Sequence, residues 1–469
     1  MKQLIATTIL TITATGFGAS GQTLSLEQAR EAFGHGDYDQ AAATLAKSAE
    51  AEPKNATLNH QAGVALMRAG DIEQARKYLK RGTEESLLYL ARIAVDGYDF
   101  DEAEELVERY DDARSKARRK AKGKQPAENP AIYDEVEETL ERGRSMIERV
   151  EKIVVIDSIA VNKNEFFRAY RLAASAGKIE GTDVLPKGFP AAEPTTVHVT
   201  QDGESMIWAV PDSTENYVLA EATRLADGSW EGPVMPSGNL GEGGDVNYPF
   251  LMADGMTLYF ASDGEGSLGG YDIYISRRDG DGFLQPQNIG MPYNSPFDDY
   301  MLAIDEETGT GWWATDRNQL EDMVTIYRFI PSELRVNYPT DTPNLKEMAL
   351  LTNYKATWEP GADYTALLAS PKEENGGRKG DEFRFSLPDG KILTSLQDIP
   401  NQRARMLMKS YIELNSELDN LNERLAGLRA EYGKGNRSRE GAIRSAEERQ
   451  KSLREEIARK RNEVVNAMR

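Results

Sequence analysis

The feature that most limits how this chain can fold is that it repeats itself, at two different periods. In the N-terminal third, Gly36-Asp37-Tyr38-Asp39-Gln40-Ala41 returns 34 residues later as Gly70-Asp71-Ile72-Glu73-Gln74-Ala75, with Pro53 between the copies. A stretch that returns at a fixed period of this length is one supersecondary unit stacked on its own copy. The motif says which unit: the glycine ends one helix, the aspartate caps the next, and the alanine lets the paired helices approach closely. Each copy is therefore expected to be a helical hairpin. A third copy, Tyr98-Asp99-Phe100-Asp101-Glu102-Ala103, follows after only 28 residues, so its first helix is expected to be trimmed, as terminal repeats often are. The array is expected to cover residues 22–110.

The second period is close to 53. Phe260 matches Trp313, Asp263 matches Asp316, and Ile273-Tyr274 match Ile326-Tyr327; Trp230 and Pro233 match Phe283 and Pro286, and Asp202-Gly203 precede Asp254-Gly255 by 52. Within a unit, an Asp-Gly turn separates short apolar runs such as Met256-Thr257-Leu258-Tyr259-Phe260-Ala261 from Tyr271-Asp272-Ile273-Tyr274-Ile275, which is hairpin chemistry. Units of this length with about four short strands suit the blades of a β-propeller, because radial repetition leaves few exposed sheet edges. Three blades are visible between Pro194 and Pro331, and degenerate copies at 152–193 and 345–396 bring the expected count to about five over residues 152–396.

Elsewhere the pattern is helical. Leu407, Tyr411, Leu414, Leu418, Leu421, Leu425, Leu428 and Tyr432 alternate at intervals of four and three, a heptad seam. Gly433-Lys434-Gly435-Asn436 breaks the helix, and Ile443, Ala446, Leu453, Ile457, Val464 and Ala467 resume a weaker seam, so residues 397–469 are expected to form an antiparallel coiled-coil hairpin. Polar Gln450 and Lys460 at seam positions also suit two helices that meet only a partner. Residues 111–151 read as a basic, solvated linker, carrying Arg114, Lys116, Arg118, Arg119 and Lys120, followed by a connecting helix. At the start, Lys2, an apolar run from Leu4 to Phe17 and the small residues Gly18-Ala19-Ser20-Gly21 read as a secretory signal cut after Gly21. The run is shorter than the roughly 20 residues a membrane span needs.

Composition removes whole classes of function. The 469 residues exceed the roughly 250–300 at which single cores stop growing. A formal charge of −21, from 77 acidic against 56 basic residues, repels phosphate backbones, so nucleic acid is not an expected partner. There is no cysteine, hence no disulfide, thiolate metal site, cysteine nucleophile or lipidated cysteine, and only His35, His60 and His198 remain for imidazole chemistry. Gly-x-Ser-x-Gly is absent, and His198 lies in a strand-like run where a structural role is expected. Asp279-Gly280-Asp281-Gly282 is half a calcium loop without its third carboxylate and terminal glutamate. Gly264-Glu265-Gly266-Ser267-Leu268-Gly269-Gly270 lacks the Lys-Ser/Thr of a phosphate cradle. No catalytic residue, cofactor or metal is expected.

Asn247-Tyr248-Pro249-Phe250-Leu251-Met252-Ala253-Asp254-Gly255-Met256-Thr257-Leu258-Tyr259-Phe260-Ala261-Ser262-Asp263-Gly264, with Gly269-Gly270-Tyr271-Asp272-Ile273-Tyr274 after it, resembles the WD-type propeller repeat of TolB-like periplasmic proteins. The 34-residue period is that of tetratricopeptide repeats. Tetratricopeptide repeats before such a propeller are similar to envelope proteins that accompany outer-membrane machinery, including type IX secretion. Several such relatives continue into an OmpA-like peptidoglycan-binding domain, whereas this chain continues into the heptad seam. The resemblance implies a non-enzymatic scaffold in the periplasm or at the outer membrane, holding envelope proteins, or a glycan or peptide ligand, on the repeat groove and propeller face. The coiled coil would oligomerise or dock. Tyr271, Trp312 and Trp313, near blade loops, and the recurring aspartates Asp263, Asp272 and Asp316 are the candidate contacts. For Trp313 and its counterpart Phe260, packing within the blade core competes with that role. The rival reading is a propeller hydrolase or lyase with its acid and base on channel-facing loops, for which Asp263 and Asp272 are a candidate carboxylate pair.

Overall fold

A computed structural model describes residues 24–120, 129–359 and 395–468, apart from single loop positions and residues 434–435, together with 361, 362, 364, 385, 386, 392 and 393. The signal read at residues 1–21 lies outside them. The chain divides into two compact units: one runs up to Ile93 and takes in Glu105–Pro130, and the other combines Ala94–Glu104 with Ala131 onward.

In the first unit, α1 (Leu26–His35), α2 (Tyr38–Ala51), α3 (Ala56–Arg68) and α4 (Ile72–Leu79) form two helical hairpins. Ser25 opens α1 with a reciprocal capping box: its hydroxyl accepts from the Gln28 amide at 3.2 Å, and the Gln28 side chain accepts from the Ser25 amide at 2.9 Å. Asn55 and Asp71 accept from the Leu58 and Gln74 amides at 3.2 and 3.1 Å, capping α3 and α4, whereas Asp37, expected to cap α2, makes no side-chain cap bond. Both motif glycines adopt the left-handed turn the repeat requires, with φ +86° at Gly36 and +83° at Gly70. Ala41 and Ala75 are buried, and Gly63 sits so close to α4 that a β-carbon there would lie 2.6 Å from Leu79 Cγ. The unit takes in the start of α5 (Ser86–Asp96) and the end of α6 (Phe100–Lys120). Residues 111–120, read as linker, continue α6, and 121–128 lie outside the described residues.

The second unit is dominated by antiparallel sheets. The first has the order β2 (Lys178–Glu180), β3 (Val197–Val199), β4 (Ser205–Pro211), β5 (Tyr217–Arg224), β6 (Trp230–Val234). In the second, β7 (Val246–Leu251), β8 (Thr257–Ser262) and β9 (Asp272–Asp279) are joined by the short β10 (Gly282–Phe283) and β11 (Gln287–Asn288), both paired to β9. The third comprises β12 (Asp299–Asp305), β13 (Thr310–Thr315) and β14 (Met323–Ile330), and its fourth strand is β1 (Val154–Asn162), brought from the start of the unit to pair with β14.

The 53-residue period is structural. Phe260 pairs across strands with Tyr274, and Trp313 with Tyr327, in the second and third sheets respectively. The first pair of rings stacks at 5.8 Å and the second lies tilted at 4.9 Å. Tyr248 and Met301, 53 apart, both take positive φ (+51° and +54°) where the first strand of each sheet slips register against the second. The Asp-Gly turns hold as read: Asp254 Oδ1 accepts from the Met256 and Thr257 amides at 2.8 Å, and Gly203 and Gly255 share φ +67°.

Where about five blades were expected, the described residues hold three larger sheets and one two-stranded ladder. Residues 154–162 spend their hydrogen bonds on β14, completing the third sheet instead of starting one of their own. At the other flank, α8 (Leu345–Leu350) is helical, only β15 (Phe385–Ser386) and β16 (Ile392–Leu393) pair, and 365–384 lie outside the described residues. The unit ends in α9 (Gln402–Gly433) and α10 (Glu440–Met468), which run antiparallel: Asn401 donates to the Ala467 carbonyl at 2.8 Å, and Arg449 pairs with Glu417 at 2.8 Å. Leu425, Ile443, Ala446, Gln450, Leu453 and Val464 of the seam are buried between them. No helix among the described residues is long and apolar enough to cross a membrane.

Candidate functional site

Of the residues singled out from the sequence, the two tryptophans are corrected. Trp312 and Trp313 lie inside β13, 5% and 0% exposed, not on a loop. Trp313 is enclosed by Tyr293, Tyr327 and Phe329, and Trp312 packs on Tyr170 with the Arg328 guanidinium 4.8 Å from its ring. A central strand turns one face of its residues into each side of the sheet, and here both sides are covered. Asp272, in the same list, is also fully buried.

The remaining three candidates come together at the ends of the sheets. Asp263 Oδ1 accepts from the Asp245 amide at 2.6 Å, and Asp245 Oδ1 accepts from the Tyr217 amide of the first sheet at 2.8 Å. One period on, Asp316 Oδ1 accepts from the Asp298 amide at 2.9 Å, and Asp298 Oδ1 from the Tyr271 amide of the second sheet at 3.0 Å. The recurring aspartates Asp263 and Asp316 thus hold Asp245 and Asp298, and these two are the hydrogen-bond staples between successive sheets. At the later junction Lys163, just past β1, brings its ammonium to 3.5 Å from Asp316 and 3.9 Å from Asp298. Burial first, and then the Asp298 charge, push the Asp316 carboxyl up to about 6; burial raises Asp263 as well.

Where the first strands of the second and third sheets meet, the space is filled. Phe166 stands edge-on to Tyr248 and Tyr300 at 5.8 and 5.2 Å, Tyr248 stacks on Tyr300 at 4.6 Å, and the Tyr170 hydroxyl donates to the Met301 carbonyl at 2.7 Å. Phe166 and Tyr170 are therefore core, while Arg168 between them is exposed. His198 is buried too: its Nδ1 accepts from the Leu251 amide at 3.3 Å, Nε2 faces the Ala176 carbonyl at 3.3 Å, and burial takes its pKa down to about 4, so it is a neutral structural residue.

The polar cluster that sequence reasoning missed lies deeper. Arg317 and Asp299, 4% and 0% exposed, pair at 2.7 Å. Arg317 also donates to the Thr315 hydroxyl at 3.1 Å and to the Pro292 carbonyl at 2.9 Å, while the Ser295 amide and hydroxyl both donate to Asp299 at 2.6 Å. Burial alone would lower the Arg317 pKa, but the Asp299 charge more than reverses this, and the guanidinium stays charged. Beside them Asp272 accepts from the Leu268 amide at 2.9 Å and from Asn288 at 2.6 Å through one oxygen, and its other oxygen has no hydrogen-bond partner. Burial, then the Asp299 charge, push its carboxyl up to about 8.

Tyr98 borders this cluster: its phenol is pushed upward first by burial, and it senses Arg317, Asp299 and Asp272. It is 4% exposed, its hydroxyl has no hydrogen-bond partner, and its backbone is left-handed at φ +57°. That conformation costs a non-glycine residue about 1–2 kcal/mol, and a buried hydroxyl left unbonded costs about 1–3 kcal/mol. Burial of the ring returns about 1.5–3 kcal/mol. Among the described residues no three His, Asp or Glu side chains are grouped so as to hold a metal.

The tetratricopeptide-repeat family matches residues 32–87, the stretch from the end of α1 to the start of α5. Compared with curated proteins and with solved structures, the chain has no significant match in either.

Proposed function

We propose that this protein is a non-enzymatic scaffold of the cell envelope, with the helical repeats holding a helix or extended segment of a partner protein. The observation that carries the reading is the tetratricopeptide repeat at 32–87, folded as two helical hairpins. Repeats of this kind suggest protein interaction, because stacked hairpins present a continuous surface to a partner segment.

In this reading the sheet unit is a TolB-like propeller whose ring is closed by β1, since a strand from the start of the unit completing its last sheet is what closure requires. The helical hairpin serves as a coiled coil for docking or self-association. Export to the periplasm or outer membrane rests on the signal-like composition of residues 1–21. The propeller's contact surface would be the face bearing Asp263, Asp316 and Tyr271 rather than Trp312 and Trp313.

The test is a crosslinking pull-down from intact envelope with the full chain and with versions lacking 22–93 or 401–469. Partners lost with the first deletion support the repeat groove as the recognition element, and partners lost with the second support the hairpin. Unchanged recovery with both moves recognition to the sheets, and recovery of no partner by the full chain refutes the scaffold.

A further inference from the structure

We propose that residues Ala94–Glu104 are a releasable element, docked on the sheet unit through Tyr98 and able to leave it without unfolding it. The segment carries the third copy of the helical motif, and its turn is built like the first two. Gly36 and Asp37 donate to the Phe33 and Ala32 carbonyls at 3.2 and 2.9 Å, Gly70 and Asp71 to Met67 and Leu66 at 3.1 and 2.9 Å, and Tyr98 and Asp99 to Val95 and Ala94 at 2.8 Å. Asp99 then accepts from the Glu102 amide at 3.4 Å, as Asp71 does from Gln74. Local geometry therefore assigns the segment to the helical series, while its packing assigns it to the sheet unit.

Tyrosine in place of glycine marks the conflict. No left-handed turn needs a tyrosine, and the ring is explained only by what it fills beside Arg317 and Asp299. Its burial is offset by the strained backbone and the unbonded hydroxyl, so the residue that anchors the segment holds it with little surplus. The ion pairs around it are solvated: Arg144 pairs with Asp101 at 2.9 Å and Glu104 at 2.8 Å, and Lys346 approaches Asp99 at 3.8 Å, with every partner substantially exposed. Phe100, whose ring packs against the Gly143 backbone, adds an apolar contact, and the small side chains of Ala94, Val95 and Ala103 are buried as well. Covalently, the segment lies between 86–93 and 105–120, both of the helical unit. Release would free the turn between α5 and α6 from the sheet unit, and its use by a partner protein rests on the scaffold reading. The release itself does not.

Hydrogen exchange on the full chain, without any partner, tests it. Amides of 94–104 are expected to exchange at least a hundredfold faster than those of β8 and β13, through openings that leave the strands protected. Tyr98→Phe, which keeps the ring and removes the unbonded hydroxyl, is expected to slow that exchange about tenfold. Tyr98→Gly, which relaxes the turn and removes the ring, is expected to speed it by tenfold or more with β8 and β13 unchanged. The proposal is overturned if 94–104 exchanges in step with β8 and β13 in the parent chain, or if Tyr98→Phe leaves its rate unaltered.

Discussion

Replacing Arg317 by methionine tests whether the buried ion pair organises the sheet unit. The substitution keeps most of the side-chain volume but leaves the Asp299 carboxylate, 0% exposed, without its charged partner and held by neutral donors of Ser295 and Thr315, and strips a donor from the Pro292 carbonyl. Removing one partner of a buried pair costs about 3–5 kcal/mol. At a urea slope of about 2 kcal/mol per molar, the unfolding midpoint should fall by about 2 M. Tryptophan fluorescence reads this unit alone, because all five tryptophans, Trp208, Trp230, Trp312, Trp313 and Trp358, belong to it. In the variant, Asp299 loses the charge that opposes its burial, so its folded-state pKa rises further above the unfolded value. A raised folded-state pKa means stability present at low pH and lost as pH rises, so the deficit should be largest near neutrality and shrink toward about pH 4. Adding Asp299→Asn should recover a large part of the loss. A single variant within about 1 kcal/mol of the parent at neutral pH, or a double variant no better than the summed singles, would refute the reasoning.

Three further outcomes follow from the same geometry. Asp272, with its carboxyl pushed up to about 8, holds its proton in the folded state, so its contribution to stability is complete below about pH 4 and lost as pH rises through about 8; Asp272→Asn should flatten that decline in urea midpoints and leave the variant ahead of the parent at high pH. Gly70→Ala should destabilise the helical unit by about 1–2 kcal/mol in circular-dichroism melts, from backbone strain alone, because a β-carbon at φ +83° meets nothing within 4 Å. Leu453→Ala, at a fully buried seam position, should cost the helical hairpin about 2–5 kcal/mol, lowering helicity on heating in circular-dichroism melts.

What could be read in advance was whatever repeats or keeps a local period. The 34-residue offset located two hairpins and their left-handed glycines, the 53-residue offset paired Phe260 with Trp313 and Asp263 with Asp316 in equivalent places, and the heptad seam placed Leu425 and Leu453 between helices. The rest depends on pairings distant in sequence. Nothing local to residues 154–162 says that they will pair with 323–330, which is why a flank counted as a separate blade became the fourth strand of the last sheet. Arg317 and Asp299 belong to no motif, and only the fold reveals that the arginine reaches back across the sheet end to a buried carboxylate. For the two tryptophans, loop proximity in sequence was the weaker guide. The match between Trp313 and Phe260 already pointed to the core.

The junction aspartates show how far equivalence by repetition extends. Both pairs make the same backbone hydrogen bonds, so the period accounts for their position and for the stapling of successive sheets. Their electrostatic setting is not repeated, because the only lysine that approaches Asp298 and Asp316 among the described ion pairs is Lys163, carried by the strand that arrives from the start of the unit. Tyr98 makes the same point: its turn is built like those of Gly36 and Gly70, while the residue itself belongs to the sheet unit. In both cases the repeat determines the backbone, and a contact from outside the repeat determines what that backbone is used for. Function in this chain is therefore to be sought where a copy departs from its siblings, at Tyr98 and around Lys163, rather than at the positions all copies share.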